Sequence, residues 1–179
     1  MSSISETQSK PTEHSEPGIY VALTHNVLDA KTIMDKVRSP QCGAIVLFAG
    51  TTRDNFDGKP VKHLAYSSYE ALAIRTMTKV AQQLKAKHDV HGIAIIHRLG
   101  VVPIAEESIL IAVSTPHRQA AWRAGEEALE LVKEKVEVWK LEEFGGEEGG
   151  VWRANRDGHA GVKVSDGSLE DVKDSSLAS

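Results

Sequence analysis

The residues of this chain best suited to chemistry are a few cations placed at the ends of apolar stretches. In "STPHRQAAWRAG", Thr115 has the side chain of a helix N-cap and Pro116 the fixed φ of a first helical residue, which predicts His117 and Arg118 in the first turn. Cations there oppose the helix dipole, which favours negative charge at its start by roughly 0.3–1 kcal/mol per group. An anionic ligand would compensate, because a helix start already presents free N–H groups. The alternative is that both side chains face solvent or pair with an acidic neighbour. Arg53 repeats the arrangement in "GAIVLFAGTTRD", where an apolar run and small residues lead to a guanidinium. His97 and Arg98 close the apolar run of "GIAIIHRLG". Element ends facing loops position ligand groups, although a histidine ending a buried strand is more often a satisfied structural residue.

Three lysines, Lys133, Lys135 and Lys140, surround the Val/Trp-rich run of "ALELVKEKVEVWKLEEF". Lys133 falls in the last turn of a helix, where a cation suits the dipole, so a structural role accounts for it. Lys140 falls in an alternating strand beside Trp139, with Glu142 two residues on and therefore on its own face. A lysine held near carbon-rich surface and other cations gives up its proton more readily, which suits proton transfer or nucleophilic attack. Lys135 reads as solvated. His88 and His91 have H-x-x-H spacing but straddle a helix end without a third ligand, so no metal site is expected. Cys42 precedes a buried strand and reads as packed, and "FGGEEGG" is glycine-rich but of the wrong sign to cradle phosphate. With no P-loop, dinucleotide fingerprint or Ser-His-Asp signature, no cofactor is expected.

Positioning these groups falls to a chain of 179 residues, long enough for one domain with a sizeable core. The stretch 1–17 is rich in Ser, Glu, Thr and Pro, and 157–179 is polar and Gly/Ser-rich; both read as disordered tails around a domain at 18–156. Strands are expected at "IYVALTH", "GAIVLFAG", "HLAYSSYE", "GIAIIH", "SILIAVS", "VEVWKLEE" and "VWRA". "DAKTIMDKVRS" has helical spacing, a long amphipathic helix is expected from Glu70 to about His88, and a second from about Pro116 to Lys135. "RDNFDGKPV" and "RLGVVPIAEE" read as loops, and "FGGEEGG" as a turn. The fold class is α+β, with two long helices against a largely antiparallel sheet. A formal net charge of -4 argues against nucleic-acid or membrane-surface partners for the chain as a whole, so any anion site is built from a few selected cations. One cysteine, the lack of an apolar span and an acidic, arginine-free N-terminus fit the cytoplasm.

Several of these stretches occur in the same order in a known family. "GAIVLFAGTTRD", "HLAYSSYEALA", "IAIIHRLG", "VSTPHRQAAWRAGEEALELVKEKVEVWKLEEF" and the closing Trp152 resemble the large, catalytic subunit of molybdopterin synthase, over roughly residues 19 to 155. The resemblance implies an α/β hammerhead-type fold and a homodimer within a heterotetramer. Each half of the dimer would bind a small ubiquitin-like sulfur-carrier subunit ending in a Gly-Gly thiocarboxylate. A sulfurtransferase reaction would move two sulfurs, in successive steps, onto cyclic pyranopterin monophosphate and form the dithiolene of molybdopterin, the ligand of the molybdenum cofactor. By motif position the resemblance assigns the reactive lysine to Lys133 and a second site lysine to Lys140. It assigns substrate binding to Arg53, His117 and Arg118, and continues the pocket through Leu141 and Glu142. Only the resemblance promotes Lys133 from its structural role. Glu137, two residues before Trp139, stands where many members carry proline and adds a carboxylate near the site lysines. Two other functions remain open on the residues alone: a phosphate-ligand transferase without a protein sulfur donor, and a non-catalytic dimeric scaffold gripping a partner's acidic C-terminus.

Overall fold

The strands and helices follow from where apolar side chains recur along the chain. The computed structural model describes residues 9–144, and the backbone of 150–154 and 162–164. A first sheet has the order β1-β2-β6-β8-β3, from strands β1 (Thr12–Glu16), β2 (Ile19–Thr24), β3 (Ala44–Thr51), β6 (Gly92–Arg98) and β8 (Glu107–Thr115). Only β2 and β6 run parallel; β1 with β2, β6 with β8 and β8 with β3 are antiparallel. Val21, Ala22 and Leu23 of β2 and Ile93, Ala94 and Ile95 of β6 are all buried, which is why these strands read as apolar runs and not as alternation.

Helices cover both faces of that sheet. The helices α2 (Glu70–Lys87) and α3 (Arg118–Lys135) bury Ala73, Met77, Val80, Ala81 and Leu84, and Ala121, Ala124, Gly125, Ala128 and Val132. These recur at three- and four-residue spacing and form one stripe per helix, facing the larger core cluster with Val21, Leu23, Ile93, Ile95 and Ile111. Each fully buried side chain of the size of Leu84 or Met77 contributes about 1.5–3 kcal/mol. Small residues on α3 let the helix lie close: a Cβ on Gly125 would stand 3.3 Å from Val46 Cγ1 of β3. The short α1 (Ala30–Asp35), N-capped by Asp29, covers the opposite face with Ile33 and a second cluster around Ala94, Leu110 and Ala112.

The second sheet, β11-β10-β9-β5-β4, is antiparallel and carries β7 on the same edge of β5 as β4. Its strands are β4 (Asn55–Phe56), β5 (Lys59–Ser68), β7 (Gly100–Pro103), β9 (Val138–Phe144), β10 (Gly150–Ala154) and β11 (Val162–Val164). The α+β class with two long helices and mainly antiparallel pairing is therefore observed. Four strands were not expected. The strand β1 lies in the stretch read as a tail and pairs with β2 over Thr12↔Leu23 to Glu16↔Ile19, and β11 lies in the C-terminal stretch. β4 and β7 arise inside the two segments read as loops. In "NFDGK", Asp57 (φ 48°) and Gly58 (φ 76°) form a two-residue turn, so the Asp-Gly pair marks a hairpin and not a loop. The acidic turn "FGGEEGG" has its residues 145–149 outside the described residues.

Candidate active site

Strand register decides which residues of β9 meet the cavity. Lys140 lies opposite Tyr66 and Glu142 opposite Leu64 of β5, so all four share one face, while Leu141 lies opposite Ala65 on the other. That shared face, with β3, β4, β6, β8 and the C-terminal end of α3, lines a solvent-open cavity of about 350 Å³. Its wall includes Arg53, Phe56, Lys133, Lys140 and Glu142, with Tyr66 and His97 beneath. Arg53 arrives just past β3, which bulges between Gly50 and Thr51 as it ends. Gly50 is required there, since a Cβ would stand 2.7 Å from Ile109 Cγ2.

The electrostatics are those of a cationic pocket with one buried counter-charge. Glu142 is 1 % exposed and its carboxylate stands 3.1 Å from the Lys140 ammonium. Glu142, expected on the face of Lys140, meets it there as an ion pair, and truncating it would leave a partly buried cation without that carboxylate. Among the described residues of its lining, three cations, Arg53, Lys133 and Lys140, stand against one carboxylate, which favours an anionic occupant. Beneath them His97 is 1 % exposed, with Nδ1 2.8 Å from the Arg98 carbonyl oxygen. Burial pulls its pKa down to about 4, so the ring is neutral near pH 7, with Nδ1 as the donor to that carbonyl. Tyr66 packs edge-on against it at 4.8 Å between ring centroids, and burial raises the phenol's pKa.

Other expectations meet different fates. His117 is itself the N-cap of α3, in extended conformation, and Arg118 is the first helical residue; Thr115 ends β8 and donates from Oγ1 to the His117 carbonyl at 2.7 Å. The helix starts two residues later than its Thr-Pro signal suggests, because Thr115 still pairs with Ala44 in the sheet. His117 and Arg118 are exposed and do not line the cavity. From Arg118 to Lys133 the helix rises about 22 Å at 1.5 Å per residue, so a single chain holds the two groups apart. Leu141, on the far face of β9, does not line it either. Arg98 turns away from His97 and pairs with Glu106. Glu137 accepts from Thr76 Oγ1 at 3.1 Å and its carbonyl from Ser68 Oγ at 2.8 Å, so it ties β9 to α2 and β5 and not to a site lysine. His88 pairs with Glu127 at 2.6 Å, and no cluster of three metal-ligating side chains occurs among the described residues. Phe56, Tyr66, Ser108 and Leu129 line the cavity without having been singled out. The one local signal among them was Phe56, an aromatic residue inside a polar Asp-Gly hairpin.

Fold and site together define an α+β protein in which two sheets and a helix C-terminus build a lysine- and arginine-lined cleft over a buried carboxylate. Residues 23–135 match the MoaE protein family, and the chain belongs to that family, the catalytic subunits of molybdopterin synthase. It is 70% identical over 155 residues to a molybdopterin synthase catalytic subunit of Neurospora crassa, covering 87% of this chain and 75% of that one. A Sclerotinia sclerotiorum protein of the same name is 71% identical, with 83% and 76% covered. Among solved structures, molybdopterin synthase from Staphylococcus aureus superposes with a TM-score of 0.69 at 30% identity, covering 73% of this chain and 94% of that one.

Proposed function

We propose that this chain is the sulfur-transferring subunit of a molybdopterin synthase. It would take sulfur from the thiocarboxylated C-terminus of a small ubiquitin-like carrier and place two sulfurs on cyclic pyranopterin monophosphate. The observation that carries the reading is the convergence of Arg53, Lys133 and Lys140 on one cavity, from three elements far apart in sequence. Both reactants are anionic. Charge-assisted contacts hold a phosphate or an acyl-sulfur end more strongly than neutral ones do, and a cleft with excess positive charge supplies them. Lys133, at the cavity wall, serves in proton transfer or stabilises the charge that develops as sulfur leaves the acyl carbon. Lys140, braced by Glu142, positions and polarises.

His117 and Arg118 enter this reading through a second copy of the chain. Their exposure at the N-terminal end of α3, in a first turn with no acidic residue, leaves them free to complete the cavity of a partner in a homodimer, where they would hold the substrate phosphate. The name shared by the relatives, a catalytic subunit, supports an assembly with a further subunit, the carrier. Composition supports a cytoplasmic site of action, and no described helix is long and apolar enough to cross a membrane.

Single-turnover conversion of cyclic pyranopterin monophosphate tests the proposal, with a thiocarboxylated carrier and a carboxylate-ended control. Dithiolene product with the thiocarboxylate alone is expected. Binding of both carriers with product from neither would overturn the reading.

A further inference from the structure

The hairpin of β4 and β5 reaches the cavity with one side chain that no step above has used. Its turn residues Asp57 and Gly58 both have positive φ, Phe56 pairs with Lys59, and the Val61 amide closes the base on the Asp54 carbonyl at 2.8 Å. Phe56, next to the turn, lines the cavity, and the Lys140 ammonium lies over its ring, 5.9 Å from the centroid. That separation is within the roughly 6 Å over which a ring quadrupole attracts a cation.

Lys140 is thus restrained by two groups of different kind. Glu142, from the same strand, holds the ammonium at 3.1 Å and offsets its charge. Phe56, from a separate element, attracts the ammonium without cancelling any charge, so the lysine stays available to an anionic reactant. A lysine side chain has a flexible four-carbon stem, and misplacement of a catalytic group by about 1 Å costs on the order of 100-fold in rate. A ring from a separate element, added to the carboxylate, narrows where the ammonium goes.

We propose that Phe56 is a positioning residue of the site: the β4–β5 hairpin lays its ring over the Lys140 ammonium and fixes that side chain toward the cavity. The inference rests on the reading of Lys140 as a site lysine, and its test separates the two. The first arm needs no turnover. Lysines of the full chain are reductively methylated with carbon-13, and the Lys140 signal is assigned by its loss in Lys140→Arg. Ring current shifts that signal upfield in the unsubstituted protein. Phe56→Leu and Phe56→Met, which keep apolar bulk, return it toward the position of a solvated lysine, while Phe56→Tyr holds it upfield. The same position in the parent chain and in the non-aromatic variants overturns the proposal, whether or not the chain transfers sulfur.

The second arm is kinetic. Phe56→Leu lowers kcat about threefold to tenfold with an unchanged KM for the carrier, in line with the strength of cation–π contacts. In a Lys140→Ala background the same substitution has no further effect. An equal loss in both backgrounds would show that Phe56 acts only on the fold of the hairpin. Absence of product from the parent chain would sink the synthase reading and leave the spectroscopic result standing.

Discussion

The two ends of α3 carry candidate cations and stand in opposite settings. At the C-terminal end Lys133 joins Arg53, Lys140 and Glu142 around an open cleft; at the N-terminal end His117 and Arg118 stand exposed with no such company. One rule of local electrostatics separates the two ends. A cation suits the last turn and costs a little in the first, so Lys133 needs no ligand to explain it while Arg118 does. The end with the stronger local argument for an anion is the one without a cavity in this chain. Local electrostatics therefore points to a need, and tertiary packing decides which partner meets it.

The comparison is broken most severely at Lys133. Lys133→Ala is expected to lower single-turnover product formation about 100-fold or more while carrier binding, measured by calorimetry, stays at the parent value. Full turnover by that variant would return Lys133 to a purely helical role. The next effect tests whether the two ends serve one site. Lys133→Ala and Arg118→Ala homodimers should each be nearly inactive, and dimers reassembled from a mixture of the two should regain activity, since one site per mixed dimer then has both residues intact. No recovery on mixing would mean that each chain works alone.

Smaller effects sharpen what lies beneath and beside the site. His97 titrates near pH 4 in the folded chain and near 6.5 when unfolded, because burial disfavours its cation. Its contribution is fully present above about pH 6.5 and is lost as pH falls toward 4, where the unfolded chain takes the proton first, for a total of about 3 kcal/mol. Denaturation midpoints from pH 7 to 5 should fall in the parent, and His97→Gln should remove most of that slope despite a lower stability at pH 7. The smallest change is expected at Glu127, whose carboxylate on α3 meets Lys87 at 2.8 Å and His88 at 2.6 Å at the end of α2. Lys87 is 57% exposed and the pair is screened by solvent, so Glu127→Gln should cost less than about 1 kcal/mol, with turnover unchanged.

How much was legible in advance differs from element to element. The helices were, because Leu84 and Val80, or Ala124 and Ala128, recur at a spacing that only a helix places on one face. The strands "GIAIIH" and "SILIAVS" were, through their length and branched residues. β4 and β7 were not, because strands of two and four residues carry too few side chains for a period; the Asp-Gly turn alone announced the hairpin. At the site, Lys140 and Glu142 were legible as a same-face pair from alternation, and Arg53 as a group at a strand end. Lys133 was discounted because its helical position accounts for it. Phe56 and Tyr66 were passed over because an aromatic side chain in a strand or turn packs in most proteins whatever the function.

The order of residues by itself determined the class of fold, the three helices and the longer strands, the few cations available for an anion and, through motif order, the family. Those properties depend on spacing of three, four or two along the chain, which local geometry translates directly into faces. Only tertiary structure decided that Lys133, Lys140 and Arg53 share a cavity while Leu141, one residue from Lys140, is excluded, and that His117 and Arg118 point elsewhere. Contact between elements depends on sheet order, strand register and helix length. None of these is encoded in any one segment, because each is set by how the segments bury one another.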